Sequence, residues 1–198
     1  MSAHLYDHYK DVKVDTSAAR KDRGRFYLAT MTMACLLAAY AYSPESATQI
    51  AQAALSKCGF DLDVTARALQ SAMWLGTLYV YMRYIQASTT VERNYLYMRG
   101  VEARLREEDD PVDLEGDFYS ADWPGVSRLI DFLYKRASPA ALCLAGVAKL
   151  VFELREPSWW LLPDGICCGL IVALTVLYTC YLRKVDAAYN KETEGEKG

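Results

Sequence analysis

Four apolar stretches, set between segments rich in charge, constrain this chain more than any other feature. Phe26–Tyr42 carries no charged side chain, and residues 66–85 hold Arg67 and Arg83 only near their ends. Residues 137–154 contain Lys149 and Glu153, and residues 159–182 contain only Asp164; if the Pro163-Asp164-Gly165 turn starts the last span, it runs over 166–182. A helix needs about 20 predominantly apolar residues to cross a bilayer, and about 17 suffice. Four such stretches in 198 residues leave little room for the polar faces that soluble amphipathic helices show. Hydrophobic residues make up 53% of the chain, yet its mean hydropathy is only -0.03. Apolar spans separated by very polar connections give that pairing. The expected fold class is therefore all-α: an integral membrane four-helix bundle with a long cytoplasmic helical arm between spans two and three. The organisation expected is a cytoplasmic N-terminal segment (1–25), spans one and two (26–85), the arm (86–136), spans three and four (137–182) and a cytoplasmic tail (183–198). An A-x-A-like "AAYA" closes the first stretch, but the long charged region before it and the three spans after it argue against a cleaved signal peptide.

Orientation follows from the basic residues. Eighteen Lys and Arg fall in the N-terminal segment, the arm and the tail, counting Arg83 at the inner edge of span two, whereas Lys57, Arg67 and Arg155 lie on the opposite side. The positive-inside rule places the basic side in the cytoplasm, so both termini and the arm face inward. That topology points to a multi-pass protein of the cell inner membrane. Aromatic residues mark the expected headgroup levels: Tyr40, Tyr42, Trp159 and Trp160 outside, and Phe26, Tyr27, Tyr84, Tyr134 and Tyr181 inside.

The second span runs into the cytoplasm without a proline until Pro111. Tyr84, Val91, Met98 and Leu105 repeat every seven residues, and Ala87, Asn94 and Val101 repeat three residues on. This is an a/d seam with Asn94 as its polar member, a device that fixes register and oligomer state. The predicted helix spans about Asp63 to Asp109, roughly 70 Å at 1.5 Å per residue. Tyr84, Val91, Asn94, Met98, Val101 and Leu105 form the candidate assembly seam, serving either a second copy of the chain or the return segment around Leu129 and Leu133. That return segment places Val126, Leu129, Ile130 and Leu133 on one helical face and is expected to end before Pro139. Between them, Glu107, Glu108, Asp109, Asp110, Asp113, Glu115 and Asp117 form an acidic patch without EF-hand spacing, read as a solvated turn. At the N-terminus, Asp15 or Thr16 is the expected N-cap of a helix leading into span one.

Lys149 is the unusual residue of the third span. An ionisable group inside a membrane span marks a functional site unless it snorkels to the interface. Glu153 lies one helical turn away on the same face, and Asp164 lies across a short loop. The stripe continues through Ala145 and Ala141, small residues that permit close helix contact.

No chemistry-bearing motif accompanies these groups. The chain lacks P-loop, G-x-S-x-G and HExxH patterns. Its two histidines, His4 and His8, have an i, i+4 spacing but no third ligand. The six cysteines include no CxxC pair and read as apolar free thiols. No catalytic residue, metal or cofactor is expected, and a net charge of -3 argues against direct nucleic-acid binding.

The stretch "TTVERNYLYMRGVEARL" (89–105) and the following "FYSADWP" resemble a signature of uncharacterised prokaryotic membrane proteins in which an E-[KR]-N-Y-x-Y helix follows a span. The layout is similar to that of the SLATT and SMODS-associated transmembrane effector families. That resemblance implies a membrane-perturbing effector driven by a cytosolic partner in anti-phage defence. The expected function is an oligomeric membrane subunit, sensor or effector whose arm, residues 86–136, assembles the complex or receives a cytosolic protein. A small transporter or channel with a polar path at Lys149 and Glu153 is the alternative, and a structural scaffold is a third. Membrane lipid and further copies of the chain are the expected partners.

Overall fold

The computed structural model describes residues 3–59, 65–108, 125–155 and 161–195, with side chains over 7–59, 65–102, 125–126, 129–155 and 162–188. Every regular element among the described residues is helical. In chain order these are α1 (Ala3–Tyr42), α2 (Pro44–Lys57), α3 (Ala66–Glu108), α4 (Gly125–Phe132), a π-helical turn (Leu133–Ala137), α5 (Ser138–Arg155) and α6 (Leu161–Gly195).

Two helical stretches, Leu129–Arg155 and Leu162–Ala188, are long and apolar enough to cross a membrane. They contain most of the third and fourth expected spans. The first two expected spans lie within α1 and α3, where threonine and tyrosine lower the mean hydropathy without introducing charge at the centre.

Several local expectations are corrected. Neither Asp15 nor Thr16 caps a helix: α1 begins at Ala3, and the buried Thr16 donates its hydroxyl to the Val12 carbonyl at 2.7 Å. A threonine in a helix interior can satisfy itself this way, and the chain has no proline or glycine there to stop the helix. Segment 44–57, between the first two expected spans, is helical because Pro44 supplies a favourable first-turn φ, with Glu45 near the N-terminus and Lys57 near the C-terminus. The long helix starts slightly later than expected: Thr65 accepts the Ala68 N–H at its Oγ1 (3.3 Å) and caps α3. Its 43 residues correspond to about 65 Å. Nor does Pro139 break the chain. The helix widens into the π turn, where the Ser138 N–H donates to the Leu133 carbonyl, and passes directly into α5. One inserted residue offers a way around the clash that a proline ring makes with the preceding turn. Likewise α6 starts at Leu161, ahead of Pro163, whose missing N–H falls among donors that a first turn leaves unbonded anyway.

The chain divides into two compact units. One comprises residues 26–83 and 139–175; Trp74, Leu78, Leu142 and Ile171 are buried in it, but many of its large apolar side chains face outward and several polar ones face inward. Leu28, Leu36, Leu75, Tyr79, Leu144, Val151, Leu162 and Ile166 are exposed, while Thr30, Thr77, Tyr81, Asp164 and Thr175 are buried. The hydroxyls of Thr30, Thr77, Tyr81 and Thr175 are satisfied internally. Thr30 donates to the Phe26 carbonyl and Thr77 to the Met73 carbonyl, each at 2.7 Å. Thr175 donates to Ile171 at 2.8 Å, so the Tyr81 hydroxyl is the donor to Thr175 Oγ1, also at 2.8 Å. At Gly146 a Cβ would lie 3.7 Å from Cys168 Cβ, which marks the close approach of α5 and α6.

The other unit comprises residues 1–25, 84–138 and 176–198. Its apolar core joins Tyr9 and Val12 of α1 to Tyr95, Met98 and Val101 of α3. Inside that contact the Tyr9 hydroxyl donates to Glu102 Oε1 at 2.8 Å.

Candidate ligand site

Lys149, Glu153 and Asp164 meet in the 26–83/139–175 unit. Lys149 and Glu153 are held one turn apart on α5, and their side chains form an ion pair through Glu153 Oε1. Asp164 stands in the first turn of α6, where the helix dipole favours a carboxylate, and its Oδ2 lies 3.1 Å from Lys149 Nζ. The side chains of Lys149, Glu153 and Asp164 are only 11%, 15% and 2% exposed. One ammonium thus serves two carboxylates, and each carboxylate keeps one oxygen, Glu153 Oε2 and Asp164 Oδ1, buried without a hydrogen-bond partner among the described residues.

These three residues line a cavity of about 740 Å³. Its wall is mostly apolar, built from α1 (Ala34, Leu37, Ala38) and α5 (Leu142, Ala145, Ala148). Small side chains are what leave this space open. The stripe of small residues was expected to press against another helix; Ala145 instead faces the cavity, and the tight contact is made one residue on, at Gly146. Tyr40 was expected at the membrane surface; it is buried beside the cavity and donates to the Ala66 carbonyl at 2.7 Å, tying α1 to the start of α3. From α3 come Arg67, Gln70 and Trp74. Trp74 is buried, and its indole Nε1–H has no hydrogen-bond partner among the described residues. A buried polar atom without a partner costs about 1–3 kcal/mol. Three of them bordering one cavity are a reason to expect something polar inside it.

The seam residues lie in the other unit. Tyr84, Val91, Met98 and Val101 are buried and Asn94 is half-buried. Their cover comes from the same chain: Tyr9 and Val12 pack on Met98 and Val101, and the Tyr84 hydroxyl donates to the Tyr134 carbonyl of the π turn. The Leu105 side chain lies outside the described residues, as do His4, residues 109–117 of the acidic patch and the Trp159–Trp160 pair. His8 stands edge-on to Tyr97, with ring centroids 5.7 Å apart. Among the described residues no group of three or more His, Cys, Asp or Glu side chains is placed to hold a metal ion.

Sequence reasoning missed two sets of residues. Trp74 carried a usable signal, because tryptophan prefers membrane interfaces and this one sits inside an apolar stretch. Glu92, in the E-R-N-Y-L-Y stretch, is buried and lies 3.0 Å from Lys135 Nζ and 3.6 Å from Arg23 Nη1. It joins α1, α3 and the π turn, while Lys135 also reaches Asp131 at 3.1 Å. Tyr95 receives the Arg20 guanidinium on its ring face, 5.6 Å from the centroid. Glu92, Tyr95 and Tyr97 of the motif are thus engaged within the chain.

No family model matches this chain, and no curated protein or solved structure shows significant similarity to it.

Proposed function

We infer that this is a four-span membrane protein that binds a small polar ligand within its membrane-embedded unit, as a transporter or channel does. In this reading α5 and α6 are joined by residues 26–42 of α1 and 66–85 of α3 as spans, and both termini and residues 86–136 face the cytoplasm. The exposed leucines of all four segments support it, since they suit a lipid environment and polar side chains turn inward. The observation that carries the functional reading is the cavity itself. An apolar-walled space of about 740 Å³, bordered by a Lys149–Glu153–Asp164 cluster with two unpartnered carboxylate oxygens, is a pocket of ligand size with few, convergent polar groups.

The oligomeric-effector reading would use the heptad seam between copies of the chain. The burial of Tyr84, Val91, Met98 and Val101 against elements of their own chain favours the ligand-binding reading over it. A cytosolic protein partner on residues 86–136 is compatible with either.

Cysteine accessibility tests the proposal. In a chain whose six native cysteines are replaced by alanine, Ala145→Cys should react in intact membranes with a small, charged, membrane-impermeant thiol reagent. Leu170→Cys, on the exposed apolar surface, should not. An unreactive Ala145→Cys variant would mean a closed, dry cavity and would remove the basis for the reading.

A further inference from the structure

We propose that the cavity's ligand is a zwitterion, a molecule carrying a primary ammonium and an anionic oxygen group a few bonds apart. This rests on the ligand-binding reading above and names the class of ligand. Four charged residues line the space, Arg67 and Lys149 against Glu153 and Asp164, so the lining is neutral overall but divided. Lys149 is engaged by Glu153 Oε1 and Asp164 Oδ2. The opposite oxygens of the same carboxylates, Oε2 and Oδ1, are the ones left without partners. They are acceptors only, and they suit the N–H bonds of an ammonium group. The groups from α3 have the opposite character. Trp74 Nε1–H is a buried donor with no acceptor among the described residues, and the exposed Arg67 adds a guanidinium to the lining. An indole N–H and a guanidinium both call for an anionic oxygen. A simple organic cation would leave the buried Trp74 donor unmet and the Arg67 charge unused, and a simple anion would leave the two carboxylate oxygens unmet. A ligand with both groups satisfies all of them. Two sources carry this chemistry: a free amino acid, and the headgroup of an aminophospholipid.

The test uses the full chain in nanodiscs of phosphatidylcholine and phosphatidylglycerol, with binding read by calorimetry. The probes are L-phenylalanine, its decarboxylated analogue phenethylamine, its N-acetyl derivative, and a short-chain phosphatidylethanolamine. A zwitterion site predicts that L-phenylalanine or the phosphatidylethanolamine binds, and that removing either charge from the amino acid weakens binding about tenfold or more, because each truncation strands buried polar groups. Binding of the amino acid identifies a soluble ligand; binding of the phosphatidylethanolamine alone identifies a lipid headgroup. Trp74→Phe keeps an aromatic ring in place and Arg67→Gln lies at an exposed position, so both variants are expected to fold. Each should weaken the zwitterion about tenfold and phenethylamine by clearly less, whereas Asp164→Asn should weaken both alike. Phenethylamine binding as tightly as the zwitterions would overturn the proposal in favour of a cation site, and equal binding of the N-acetyl form would overturn it in favour of an anion site. If no probe binds while the Ala145→Cys thiol is labelled, the ligand class is wrong and the cavity reading stands. If that thiol is also unreactive, the underlying reading fails with it.

Discussion

Replacing Lys149 with methionine tests the charged cluster most directly. The substitution keeps an unbranched side chain of similar length and removes the only ammonium in contact with Glu153 and Asp164 among the described residues. Two carboxylates, 15% and 2% exposed, would then face each other without a counter-charge. Removing one partner from a buried ionic cluster costs about 3–5 kcal/mol. The partial exposure of Glu153 argues for the lower end, about 3 kcal/mol. For a chain of this size each kcal/mol moves the midpoint by about 2–4 °C, so the loss should be roughly 6–12 °C in a thermal melt of the detergent-solubilised protein followed by size-exclusion chromatography. Glu153→Gln should cost far less, below about 1.5 kcal/mol, since Lys149 keeps Asp164 at 3.1 Å. The triple variant Lys149→Met, Glu153→Gln, Asp164→Asn should regain most of the stability lost in Lys149→Met, because the stranded charges are gone. A Lys149→Met melt within about 2 °C of the parent, less than 1 kcal/mol predicts, would refute the argument. It would mean that Lys149 reaches the headgroups and the carboxylates are hydrated.

Further outcomes follow from the same geometry. Reporters fused at Gly198 and inserted near Gly116 should read cytoplasmic, and one near Ser46 should read external; an external signal at Gly116 overturns the topology. Tyr9→Phe should lower stability by about 1–3 kcal/mol, since it deletes a 2.8 Å hydrogen bond to a buried Glu102, and the same thermal melt reads it. Lys135→Ala should cost less than Glu92→Ala, because Glu92 keeps Arg23 when Lys135 is removed, whereas both cations lose their shared carboxylate when Glu92 is removed; the reverse order would count against this ion-pair arrangement. Cysteines at Val91 and Met98 should not cross-link between chains in membranes while the seam stays covered by its own chain, and efficient inter-chain disulfides there would restore the seam to an oligomer interface.

Local patterns were legible where the cause is local. The uninterrupted α3 could be read from the absence of proline, and the Lys149–Glu153 pair from an i, i+4 spacing that any helix would bring together. Asp164 was a candidate because so short a connection limits where α6 can begin. The rest of the site was not legible, because it depends on which helices pack side by side. Nothing in the spacing of Arg67 and Trp74 relates them to Lys149, Glu153 and Asp164, which lie far along the chain. The helix boundaries failed for a different reason. Thr16, Pro139 and Pro163 belong to residue types that commonly mark helix ends, but a back-bonded hydroxyl, a π turn and a first-turn position let the helix continue through each.

The heptad seam shows the limit of periodicity most clearly. A seven-residue repeat records that one face of a helix is covered; it carries no information about what covers it. Here the face of α3 is met by Tyr9 and Val12 from the far end of the chain's sequence and by the carbonyl of Tyr134. A self-associating coiled coil would bury the same stripe. What separates the two is the polar chemistry flanking it. Glu102 is buried and accepts from Tyr9, and Glu92 is buried between Arg23 and Lys135. A second copy of α3 docked on this face would displace α1 and leave those two carboxylates to find new partners. A repeat flanked by buried acids is therefore better read as a face covered by the chain's own fold, and here the cover on Met98 and Val101 is α1 rather than the return segment, whose Leu129 and Leu133 are exposed.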